Sequence, residues 1–287
     1  MPRLTSITSQ QLAGLGIISD LRFEILNTRS IINPTFNPSL FGRSVDISGN
    51  RAIVGAPWED TDGIDFVGVE QDDAGKAYIY DVTTGNLIHT LDQPATPRDE
   101  FGYSVAISGD IAVVGAPFTN DTPFTADDFG KVYIFSVSTG SLLRTIDPPN
   151  SSERLFGAGV AVSGNNVIIG CATNTGDAVY IYNAATGSLI HTLTNPNPED
   201  PDSFGGARVA ISGNYAVVGS RREDDLNPGV DSGKAYIFSA PTTVASAPAE
   251  ESTGWTIDLS NVTYNTEFSL NNQMTSYAFG QTLSTDG

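Results

Sequence analysis

Short apolar runs recur along this chain with the period of β-strands, each closed by a glycine-centred turn. Val45 and Ile47 alternate with Ser44, Asp46 and Ser48, the pattern of a half-buried strand, and Gly49-Asn50 supplies the positive φ angles of a two-residue hairpin. The next run, Ala52 to Gly55, is apolar on both faces, which predicts a strand lying between two layers. Tyr78 and Tyr80 follow, aromatics two residues apart that suit packing against an adjacent sheet. After Thr84-Gly85 a fourth segment ends in Leu91. No amphipathic helical period competes with these segments.

The same script is written four times. Phe-Gly pairs open units at Phe41, Phe101, Phe156 and Phe204, spaced by 60, 55 and 48 residues. The hairpin turn returns at Gly109-Asp110, Gly164-Asn165 and Gly213-Asn214, and the doubly apolar strand at Ala112 to Gly115, Val167 to Gly170 and Ala216 to Gly219. Tyr133 and Phe135, Tyr180 and Tyr182, and Tyr236 and Phe238 repeat the aromatic pair, while turns at Gly140 and Gly187 lead to segments ending in Ile146 and Leu193. Four short strands per unit of roughly 50 residues, with no sheet able to bury both faces alone, predict an all-β fold. The expected architecture is a β-propeller of four-stranded antiparallel blades, four of them complete. Gly55, Gly115, Gly170 and Gly219 would let backbones approach where blades converge.

The Phe-Gly opening, the Ile-Ser-Gly turn, Val-Gly-Ala-Pro at 54–57 and 114–117 and Gly-Lys-Ala-Tyr-Ile at 75–79 resemble the FG-GAP repeat of integrin alpha-subunit propellers and of many bacterial and phage surface proteins. The resemblance covers roughly residues 41 to 240. Units three and four depart from it, with Gly-Cys-Ala at 170–172 and Gly-Ser-Arg at 219–221. Propellers of that family typically carry more blades than these four repeats supply, so it is ring closure that stays open, not the blade assignment.

The flanks suggest how an end could close. Residues 1–20 read as an N-terminal arm, 21–40 as a partial blade of outer strands, 41–240 as the four blades, and 241–287 as an insertion followed by a partial closing blade. Arg29 to Pro34 stand before Phe41 as the segments ending at Pro94 and Pro149 stand before Phe101 and Phe156, so Leu21 to Ile32 reads as an outer hairpin. Phe279-Gly280 reopens the script, and Thr253-Gly254 before Trp255 resembles a displaced fourth strand. Two readings follow: the flanks join in a composite fifth blade, or the chain is an open arc of a larger propeller.

Composition narrows the partners. The chain of 287 residues carries 14 Lys plus Arg against 33 Asp plus Glu, a formal net charge of -19, so it lacks the basic face that nucleic-acid phosphates require. A single cysteine, Cys171, cannot close an intrachain disulfide or build a thiolate cluster. No run is long and apolar enough for a membrane span, so membrane insertion is not expected. The apolar stretch Leu12 to Ile18 is broken by Gly14 and Gly16 and followed by Ser19-Asp20, a poor secretory signal.

Most candidate chemistry dissolves into the repeat. His89 and His191 share a strand position with Arg144, which favours a repeated edge-strand residue over an active site. Asp231-Ser232-Gly233 fills the slot of Asp73-Ala74-Gly75 and Asp128-Phe129-Gly130, and Cys171 replaces an alanine of the repeat. What remains is acidic loops between the second and third strands. Asp60, Asp62 and Asp65 form the closest approach to a Ca²⁺ loop, because hard oxygen ligands spaced around a glycine suit that ion. The competing reading is a solvated loop that keeps a β-rich protein soluble.

The resemblance implies a non-enzymatic structural or adhesion propeller. The first expectation is a phage virion component, in a tail, fibre or capsid-associated position, that mediates assembly or host-surface binding. The alternative is a bacterial surface or secreted adhesion module binding Ca²⁺ and glycans or protein. Expected partners are other structural proteins, a host-surface glycan or protein, or further copies of the chain, at an extracellular or particle surface.

Overall fold

The structure, a computed structural model, describes residues 30–35, 39–60, 73–92, 99–119, 128–150, 153–171, 178–197, 204–221 and 233–239. The chain separates into Met1–Ile32 and Asn33–Gly287, and every described strand lies in the second unit. These strands form four antiparallel sheets in chain order, arranged as the blades of a β-propeller. Blade one is β1 (Ser44–Ser48), β2 (Arg51–Ala56), β3 (Lys76–Asp81) and β4 (Leu87–Leu91). Blade two is β5 (Ser104–Ser108), β6 (Ile111–Ala116), β7 (Lys131–Ser136) and β8 (Leu142–Ile146). Blade three is β9 (Gly159–Ser163), β10 (Asn166–Gly170), β11 (Ala178–Asn183) and β12 (Leu189–Thr194). Blade four has three described strands, β13 (Phe204–Ser212), β14 (Tyr215–Ser220) and β15 (Lys234–Ser239); the fourth strand expected beyond Thr253 lies outside the described residues.

Each sheet carries apolar residues on both sides, and blades two and three each lie between two described neighbours. One side, here the exit face, meets the next blade, and the other, the entry face, meets the previous one. Between blades one and two, Ile53, Ala77, Ile79 and Leu91 pack against Phe101, Val105, Ile107, Tyr133 and Phe135. Val113, Val132, Ile134 and Ile146 meet Phe156, Val160, Tyr180 and Tyr182 in the next core. The third core joins Ile168, Val179, Ile181 and Leu193 to Phe204, Val209, Ile211 and Tyr236. The repeated aromatics therefore belong to entry faces and the aliphatics beside them to exit faces.

Polar ties and glycine seats hold the same interfaces. Ser48 Oγ accepts the Gly109 N–H at 3.1 Å, Ser108 Oγ the Gly164 N–H at 3.2 Å, and Ser163 Oγ the Gly213 N–H at 3.2 Å. The serine of the hairpin turn in blades one, two and three thus pins the turn of the following blade. Asp46 Oδ2 and Ser44 Oγ add bonds from the N–H groups of Ile107 and Val105, at 2.7 and 3.0 Å. A Cβ on Gly55 would run into the Gly102 carbonyl, and one on Gly115 into that of Gly157, which is why the blades require glycine there.

Of the outer hairpin expected at 21–32, only Ser30 to Ile32 lie within the described residues. Ser30 to Ile32 lie in no strand, and Ile32 is 76 % exposed. Just after it, Asn33 Oδ1 accepts from both the N–H and the hydroxyl of Thr35, a local turn ahead of the first blade. Residues 21–29 and 279–287, the remaining pieces of the composite blade, lie outside the described residues.

Candidate functional site

The loops between second and third strands leave the blades at the same end as the Phe-Gly openings. Backbone bonds tie the two: the Glu100 N–H donates to the Asp73 carbonyl at 3.0 Å and the Phe101 N–H to Ala74 at 2.9 Å. Leu155 and Phe156 donate in the same way to Asp128 and Phe129. Glu100 and Leu155 take left-handed φ angles of 50° and 52° at this connection, and Leu40 before Phe41 a φ of 51°.

Of the three expected Ca²⁺ ligands, only Asp60 lies within the described residues; Asp62 and Asp65 fall outside them. Asp60 is buried, and its Oδ1 accepts the Asp73 N–H at 3.3 Å, a bond that closes the base of the loop. Glu59 beside it is fully buried with Oε1 3.6 Å from Lys76 Nζ. These two carboxylates are engaged in holding the loop, and among the described residues no three His, Cys, Asp or Glu side chains gather as a metal-holding group.

A different cluster stands at this end, across blades one and two. The Arg43 guanidinium lies 4.6 Å over the Tyr103 ring, and Tyr103 meets Phe118 edge-on at 5.8 Å. Burial pushes the Glu100 carboxyl above the ordinary range, with the charges of Asp73 and Asp128 adding to the rise, while electrostatic interactions with Trp58 and Arg43 each favour its charged form. Trp58 is 43 % exposed. Blade three adds Arg154, 4.6 Å over the Phe129 ring. Large aromatic surface, a cation and a carboxylate, all reachable from solvent, are the chemistry that recognition surfaces commonly use. Sequence reasoning passed over it because the repeat explains each residue separately. The available signal was asymmetry: Glu100 is a charged residue where units one, three and four have Leu40, Leu155 and Ser203.

Other candidates have structural duties. His89 Nε2 lies 3.3 Å from the Ser138 carbonyl of blade two, and Arg144 reaches the Ala185 carbonyl of blade three, so this strand position ties each outer strand to the next blade's turn. Burial lowers the pKa of His191 at the same position in blade three. Cys171 is completely buried with Sγ against the Ala178 carbonyl at 3.5 Å. Tyr180 donates to Glu153 at 2.7 Å in the interior of blade three, as Tyr78 in blade one lies beside Glu59; both phenols are pushed well above their ordinary pKa, chiefly by burial.

The family comparison agrees with this architecture: the FG-GAP repeat family model matches residues 39–80, 93–135 and 188–238. The search of curated proteins yields no match. Among solved structures, the computationally designed Ika4 protein is similar at 16 % identity and TM-score 0.45, over 74 % of this chain and 99 % of that one. Hydrazine synthase of Kuenenia stuttgartiensis is similar at 13 % identity and TM-score 0.43, over 69 % of this chain and 51 % of that one, so this chain spans about half its length.

Proposed function

From the premise that this chain is an FG-GAP repeat β-propeller protein, we propose that it is a non-enzymatic adhesion-type module that binds a surface ligand through the loop end of blades one and two. The observation that carries this reading is the connected group Trp58, Glu100, Arg43, Tyr103 and Phe118. Tyr, Trp and Arg supply most of the energy at recognition surfaces, and rigid sheets beneath them keep the cost of ordering low. Glu100 supplies a carboxylate beside the Trp58 indole and the Arg43 guanidinium, a polar contact that can orient a ligand on the aromatic surface.

In its finer form the module is a virion component that binds the host surface; residence on a bacterial surface is the alternative. Mass spectrometry of purified particles and of cell-surface fractions separates them: detection in particles supports the virion reading, and recovery only from the cell surface overturns it. Ca²⁺ joins the proposal through the loop from Asp60 to Asp65, whose carboxylates spaced around a glycine are hard oxygen ligands suited to that ion. Addition of Ca²⁺ at about 1 mM should raise the melting temperature of the wild type and not of a D62N/D65N variant. An unchanged melting curve removes Ca²⁺ from the account.

A further inference from the structure

Every exit face in the stack carries seats for the Phe-Gly of the blade that follows. Blade one seats Phe101 and Gly102: the Phe101 backbone forms a parallel bridge with Gly75, and the Gly102 carbonyl lies against Gly55. Blade two receives Phe156 at Gly130 and Gly157 at Gly115. On blade three, Gly170 meets the carbonyls of Gly205 and Gly206.

Blade four is built with the same seats, Gly219 and Gly233. Among the described residues their nearest neighbours are Arg208 and Arg221, from blade four itself and not from a following Phe-Gly. The aliphatic row shows the same difference. Ile53, Ala77 and Ile79 on blade one are fully buried, as are Val113, Val132 and Ile134 on blade two. Their counterparts Val217, Ala235 and Ile237 are only half-buried and join none of the three blade-to-blade cores.

The chain contains one more Phe-Gly, at Phe279-Gly280. Counted from the phenylalanine, Leu283 stands where Val105 stands in unit two, and Gly287 where Gly109 stands. We propose that the segment beginning at Phe279 docks on the exit face of blade four. Its Phe-Gly backbone fills the seats at Gly219 and Gly233, Leu283 covers Val217 and Ile237, and the Gly287 N–H meets Ser212 Oγ as the Gly109 N–H meets that of Ser48. This is the start of a fifth blade, and it needs no strand from the N-terminal flank. The entry face of a second copy is the rival occupant, since it also opens with a Phe-Gly, at Phe41, and leaves Val45 and Ile47 65 % and 62 % exposed. A segment on the same chain reaches the face at an effective concentration on the order of millimolar, which favours docking within the chain.

Hydrogen exchange followed by mass spectrometry on the full chain tests the docking, with F279A and G219A as separate variants. Gly219 has no positive φ, and a Cβ there meets Arg208 Cβ at 3.1 Å, so blade four tolerates the alanine with a small shift while the seat is filled. In the wild type, amides of β14 and β15 should exchange as slowly as those of β6 and β7. In each variant exchange in β14 and β15 should accelerate about tenfold, with blades one to three unchanged, because a buried phenylalanine and its seat are lost. Unaltered exchange in both variants overturns the proposal. So does protection that rises with protein concentration together with elution as a dimer, which assigns the face to a second copy.

Discussion

Gly55 and Gly115 each face a carbonyl oxygen of the next blade with no room for a methyl group, so G55A or G115A should push adjacent blades apart. A cost of about 2 kcal/mol or more is expected in urea denaturation, from overpacking that cannot relax against backbone. Glu59 illustrates a different constraint. It is fully buried, neither carboxylate oxygen has a hydrogen-bond donor among the described residues, and its charge is met by Lys76 at 3.6 Å. In blade two the same slot holds Thr119, whose hydroxyl donates to the Ala116 carbonyl at 2.9 Å. K76M should therefore cost about 3 kcal/mol by leaving a buried charge alone. The double variant E59T/K76M should recover most of that loss, a non-additivity that the denaturation midpoints read directly.

The third-to-fourth strand turns show how far elements were legible. Alternation and the glycine turns located the strands because a sheet face repeats every two residues, and the doubly apolar runs foretold burial on both sides. The repeat did not reveal how each turn is capped. Asp81 accepts from the Thr83 hydroxyl and the N–H groups of Thr83 and Thr84, and Asn183 plays the same role toward Ala185 and Thr186. Blade two has Ser136 there and borrows Asp110 from a neighbouring hairpin, which accepts the Ser138 N–H at 2.6 Å. These bonds, led by the Thr83 hydroxyl, pull the Asp81 carboxyl down to about 2, with Arg51 adding to the fall. A depressed folded pKa gives stability that is fully present above the ordinary carboxylate value and lost as pH falls toward the folded one. D81N keeps the acceptor, as Asn183 shows, and removes the titration. Its melting temperature should fall less than that of the wild type between about pH 4 and about pH 2. The hairpin expected at 21–32 rests on spacing from a proline that matches the other units; of its residues only Ser30 to Ile32 are described, and they lie in no strand.

At the scale of the molecule, stability is a sum of blade-to-blade interfaces, three of which are described as closed cores. That arrangement was readable in the sequence, since four copies of one script can only be satisfied by stacking. The proposed recognition surface was not, because it forms where blades one and two meet and depends on residues 43, 58, 100, 103 and 118, which no single repeat contains. Strong negative charge concentrates in loops at that same end, so binding there should be selective for ligands without dense negative charge. The most direct measurement is binding of the intact chain to a panel of purified bacterial surface glycans, with W58A beside the wild type. The account predicts saturable binding by the wild type, a loss of about tenfold or more in W58A with an unchanged melting temperature, and recovery of the glycan intact. Binding that W58A retains in full, or release of cleaved glycan by the wild type, would contradict it.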